Sequence, residues 1–127
     1  MPLHSLDHVN IRTKNLDAMA SWYADVLGLR LGERPNAPVD GRWMYLGDKP
    51  IVHLVDADQV DPVSQPALEH FALSASGLDV FLARMEATGT SVHLAEIPQI
   101  QTVQVNIADS DGNHIHVDFP LSELKRV

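Results

Sequence analysis

The sequence contains no cysteine. A disulfide framework, a thiolate metal site and a cysteine nucleophile are all excluded by that absence, so any metal chemistry must use His, Asp or Glu. Positive charge is also scarce, with 9 Lys and Arg against 17 Asp and Glu and a formal net charge of −8. Nucleic-acid binders neutralise phosphates with a basic patch or stripe, and this composition argues against one. No apolar run approaches the ~20 residues that span a bilayer, and "MPLHSLDHV" lacks the charged head and apolar core of a signal peptide. The expectations are therefore no nucleic acid, no membrane, a cytoplasmic address and a small-molecule substrate. HExxH, GxSxG, a glycine-rich phosphate loop and zinc-finger spacing are all missing.

What is present is enough for one compact domain: 127 residues, 45% of them hydrophobic. "LDHVNIRT" (6–13) predicts a strand. "NLDAMASWYADVLG" (15–28) predicts a helix with Leu16, Met19, Tyr23, Val26 and Leu27 on one stripe, Asn15 as N-cap and Gly28 as the stop. Strands are expected near 29–34, 42–47 and 50–56, and "DADQVDPVSQPA" (56–67), with two prolines, reads as a linker. The same order then recurs: strand 67–75, helix 77–89, and strands near 91–97, 101–108 and 114–119.

The chain thus reads as α+β, a single domain 1–127 made of two tandem βαβββ modules, at about 4–57 and 67–120. A tandem repeat keeps a nearly constant offset. An offset of about 61–63 residues relates Leu16 to Leu78, Met19 to Phe81 and Gly28 to Gly89, and it also relates His8 to His70 and His53 to His116. Four of the seven histidines therefore form two repeat-related pairs. If the modules pack about a pseudo-twofold axis all four can converge, and convergent imidazoles are the commonest protein metal ligands.

The other histidines carry less. His4 precedes the first strand and reads as solvated, while His93 has Leu31 at the repeat offset and reads as structural or exposed. In "GNHIHVDF" (112–119) alternation puts His114, His116 and Asp118 on one face, and Ile115, Val117 and Phe119 on the other. His114 is read as lining a pocket mouth, and Asp118 either as a rim carboxylate or as the group that holds an imidazole tautomer. Asn10 and Tyr45 are further pocket candidates, and "GRWMYLGD" (41–48) places Trp43 with Tyr45 on one strand face. "DSDGN" begins like a calcium loop, yet its required Gly falls on His114 and its bidentate Glu on Pro120, so it reads as a turn.

Together, "LDHVNIRTKNLDAMASWYADVLGL", "IVHLV", "LEHFALSASGLDVFLARMEATG" and "DSDGNHIHVDF" resemble the vicinal oxygen chelate superfamily. That superfamily includes glyoxalase I, extradiol dioxygenases, methylmalonyl-CoA epimerase and the fosfomycin and bleomycin resistance proteins. The resemblance implies a U-shaped mixed sheet cupping a divalent metal, with His8, His53, His70 and His116 at the four ligand positions. Members usually carry Glu where this chain has His116, and glyoxalase I also has Glu where it has His53.

Neutral imidazoles leave the metal's charge uncompensated, which suits an enediolate oxygen pair, but they remove the carboxylate that abstracts a carbon-bound proton. The resemblance therefore implies first a non-haem iron dioxygenase acting on a small catechol or enediol-like substrate. A glyoxalase I-like lyase or isomerase comes next, and a small-molecule binding protein of the resistance type third. Fe2+ is the favoured ion, with Zn2+, Ni2+ or Mn2+ as alternatives, and the expected assembly is a homodimer.

Overall fold

The structure is a computed structural model that describes residues 2–125. The chain divides into two compact units, Met1–Pro62 and Val63–Val127. The first contains strand β1 (Val9–Thr13), helix α1 (Leu16–Asp25) and strands β2 (Arg30–Gly32), β3 (Gly41–Leu46) and β4 (Lys49–Asp56). The second repeats the order with β5 (His70–Ser74), α2 (Leu78–Ala87), β6 (His93–Ile97), β7 (Thr102–Ala108) and β8 (His114–Pro120). Each unit has one four-stranded mixed sheet, ordered β1-β4-β3-β2 and β5-β8-β7-β6. The first and last strands of each unit run parallel side by side, and the other pairings are antiparallel. The expected βαβββ modules are therefore both present.

The helices form because their apolar residues recur at helical spacing and can be buried on one side. Leu16, Met19, Ala20 and Tyr23 of α1 are buried, as is Val26 just beyond it, and Leu78 and Met85 of α2 are buried too. Gly28 ends the first helix at φ 73°, in the left-handed region where a Cβ is disfavoured. One expectation is corrected at the other end. Asn15 stands at the N-cap position but its side chain makes no capping hydrogen bond; instead the buried Thr13 hydroxyl accepts the Asn15 N–H at 2.9 Å. In α2 the same task falls to Glu123, whose Oε1 accepts the Gly77 and Leu78 N–H groups, each at 2.8 Å. A carboxylate there also complements the helix dipole.

The strands alternate as their sequences require. In the second sheet Val103, Val105, Ile107, Ile115, Val117 and Phe119 are buried on one face, and the Phe119 ring lies 5.2 Å from Phe81 of α2. His114, His116 and Asp118 take the opposite face. The register shows the duplication in detail. His53 pairs with Asn10, two residues after His8, and His116 pairs with Ala72, two residues after His70. No helix among the described residues is long and apolar enough to cross a membrane.

Candidate metal centre

In the first unit β4 carries His53 and the residue before β1 is His8. The His53 ring lies between two others, stacked on Trp43 of β3 at 4.0 Å and on His8 at 3.8 Å. Its Nε2–H donates to the Pro50 carbonyl at 3.0 Å. His8 Nδ1–H donates to Asp7 Oδ2 at 2.8 Å. Because a carbonyl and a carboxylate only accept, these contacts fix the tautomers, leaving the lone pair on His53 Nδ1 and on His8 Nε2. Burial, and then the charge of His8, push the His53 pKa down, which favours the neutral imidazole that can ligate. The hydrogen bond from His8 holds the Asp7 carboxyl below its ordinary range.

The remaining first-unit candidates lie around this stack. Asn10 is exposed and faces His53 only as its register partner. Despite a bulge between Met44 and Tyr45, Trp43 and Tyr45 line one open groove of about 500 Å³ with Glu33, Arg34 and Pro35. Tyr45 donates its hydroxyl to the Glu33 carbonyl at 2.6 Å, and Arg30 covers its ring.

The second unit gathers three histidines on the polar face of its sheet. The His70 ring is 4.5 Å from His116 and 5.1 Å from His114. His116, only 7% exposed, donates Nδ1–H to Asp118 Oδ1 at 2.5 Å, which leaves Nε2 as its lone-pair atom. His114 donates Nε2–H to Asn106 Oδ1 at 2.8 Å and turns Nδ1 toward both oxygens of Glu69, 3.1 Å away. His70 Nδ1 contacts the same carboxylate. Donor atoms of Glu69, His70 and His114 all lie within 4.8 Å of one another. Contact with the His70 and then the His114 imidazole holds the Glu69 carboxyl below its ordinary range. His4 and His93 are exposed.

Three side chains here escape the sequence reading: Asp7, Glu69 and Asn106. Glu69 had a signal, since Asp7 and Glu69 each directly precede a first-strand histidine in "LDHV" and "LEHF". Asn106 had a weaker one, the alternation Thr102, Gln104, Asn106 along β7, and only the cross-strand register brings it to His114 and His116.

The match to known proteins agrees with this architecture. The family model described as Glyoxalase/Bleomycin resistance protein/Dioxygenase superfamily matches residues 5–117, and the chain belongs to that superfamily. No curated sequence matches it significantly. Among solved structures it is similar to a glyoxylase/bleomycin resistance protein/dioxygenase domain from Frankia sp. EAN1pec, with 19% identity, 93% and 98% of the two chains covered and a TM-score of 0.77. It is similar also to lactoylglutathione lyase from Agrobacterium tumefaciens, at 23% identity, 94% and 96% coverage and a TM-score of 0.71. A third is the antibiotic-binding protein TnmS3 from Streptomyces sp. CB03234, at 20% identity, 94% and 98% coverage and a TM-score of 0.70. At these identities the likeness establishes the fold.

Members of the superfamily use divalent metals, and the residues here fit such an ion. The donors are imidazole nitrogens and carboxylate oxygens, which suit first-row divalent metals. Each of His8, His53 and His116 also has one nitrogen held by an acceptor, the arrangement that aims the other nitrogen at a metal.

Proposed function

We propose that this chain is a small metal-dependent enzyme of the dioxygenase type. In this reading His8, His53, His70 and His116 are the ligands and Fe2+ is the working ion, with Zn2+, Ni2+ or Mn2+ able to replace it in the site. The observation that carries the reading is the Asp118–His116 contact, a buried imidazole held by a carboxylate with its other nitrogen free. A bound divalent ion would supply the positive charge that anchors the two oxygens of a small catechol or enediol-like substrate.

The protein's own side chains then hold and orient. Asp118 fixes His116, Asp7 fixes His8, and the Trp43 ring and the Pro50 carbonyl fix His53. His114, Asn10 and Tyr45 are assigned to the pocket around them. None of the histidines supplies the carboxylate that a proton shift between adjacent carbons requires, and Asp118 is engaged by His116.

A glyoxalase I-like lyase is the second reading, and one observation favours it: Glu69 is a carboxylate beside His70 and His114. The test loads the protein anaerobically with Fe2+ and measures oxygen uptake with catechols. Parallel samples loaded with Zn2+ or Ni2+ are offered the methylglyoxal–glutathione adduct. Oxygen uptake above adduct turnover supports the dioxygenase, and the reverse order supports the lyase. Ligand binding with neither activity supports a binding protein of the resistance type. The same reading takes the chain to be a cytoplasmic homodimer.

A further inference from the structure

The polar face of the second sheet has a feature that the four histidines do not use. Asn106 donates Nδ2–H to the His93 carbonyl at 3.2 Å, and this turns its Oδ1 toward His114. An amide oxygen only accepts, so His114 Nε2 carries the hydrogen, and in a neutral ring Nδ1 is then a bare lone pair. That lone pair faces both oxygens of Glu69 at 3.1 Å. A lone pair set against a carboxylate is repulsive unless positive charge lies between them. The Glu69 carboxylate meets a second imidazole nitrogen, His70 Nδ1, in the same place. Protons satisfy the cluster only with His114 as an imidazolium, both of its nitrogens donating, beside a His70 that donates its own Nδ1–H to the same carboxylate. One divalent ion supplies the same charge to all three donor atoms at once, and they lie close enough together to share it.

We propose that Glu69, His70 and His114 form a divalent-cation seat local to the second unit, with Asn106 as the residue that orients His114. Two imidazoles and one carboxylate suit first-row divalent ions such as Fe2+, Mn2+ or Zn2+, and leave further positions on the ion open. The seat shares only His70 with the four-histidine set. A neutral imidazole has one lone pair, so the two sets are alternatives and the chain holds one ion at a time.

The test titrates the full chain with Co2+ alone, reading its visible absorption and its binding by equilibrium dialysis. The background is the double variant His8→Ala/His53→Ala, in which the four-histidine set cannot form. That variant is expected to retain one Co2+ per chain. Adding Glu69→Gln, His114→Gln or Asn106→Ala to it is expected to weaken binding by about 10-fold or more. Glu69 is exposed and His114 half-buried, and melting curves of the metal-free variants check that the fold survives. Tight binding by the parent chain together with none by the double variant overturns the seat and leaves the four-histidine reading intact. Equal binding by parent and double variant supports the seat and removes His8 and His53 from the ligands. No binding by any form overturns both.

Discussion

Asp118 decides which nitrogen of His116 is free. Replacing it with Ala removes the acceptor that holds the ring, and metal affinity is expected to fall by about 10–100-fold while His116 itself remains. A competition titration with a chelator of known Zn2+ affinity measures this, and an unchanged affinity would take His116 out of the ligand set. Thr13 is the corresponding residue for folding. Its hydroxyl is buried against the start of α1, and Thr13→Val, which keeps the shape and removes the acceptor, is expected to cost about 1 kcal/mol in urea unfolding. At this scale the repeat offset made the four candidate histidines legible. It left Glu69 unread because an exposed acid next to a histidine is unremarkable until the fold turns it toward a second one. Asn106 was beyond reach because its partner lies across the β7–β8 register rather than along the chain.

The turn between β7 and β8 sets the direction in which His114 and His116 leave. Asp109 is 5% exposed, and its Oδ1 accepts from the Asp111 N–H, the Asn113 N–H and Asn113 Nδ2. Gly112 completes the turn at φ 90°, a conformation that L side chains avoid. Asp109→Ala removes the buried acceptor that ties the turn together and is expected to cost about 1 kcal/mol or more, measurable as a lowered urea midpoint at unchanged slope. A midpoint within error of the parent would mean that the backbone alone holds the turn. Elements of this kind were legible because period and punctuation agree: apolar spacing in the helices, alternation in the strands, Gly28 and Gly112 at their ends. The Glu123 cap on α2 was not, since the capping residue is separated from the helix by the rest of the unit.

For the whole molecule, acid acts in one direction on both metal binding and stability. Ligands must be deprotonated, so occupancy is expected to fall as pH drops through roughly 6 to 5. In the metal-free protein His53 has a lowered pKa, so the unfolded chain takes up that proton first and stability declines as pH falls below about 6.5. Asp7, Asp40 and Glu69 are also lowered in the fold, and what they contribute above about pH 4 is lost as they protonate. These carboxylates are exposed, so salt should shrink their share. Melting temperatures in EDTA across pH 7 to 3 check the direction, and a rise on acidification would contradict it. The assembly is checked by light scattering at micromolar concentration, where the homodimer reading requires twice the chain mass. Family and module order were legible from the motifs at this scale, whereas the reaction was not, because an all-histidine set departs from the carboxylate-bearing pattern its relatives usually show.

Metal retention tests the central claim most directly. Protein purified without chelator is loaded anaerobically with Fe2+, desalted and assayed for iron by mass spectrometry, beside the variant His70→Ala/His116→Ala. The expected result is one iron per chain in the parent and almost none in the variant. A parent chain that retains no iron, or a variant that keeps a full complement, would contradict the assignment of these histidines as ligands.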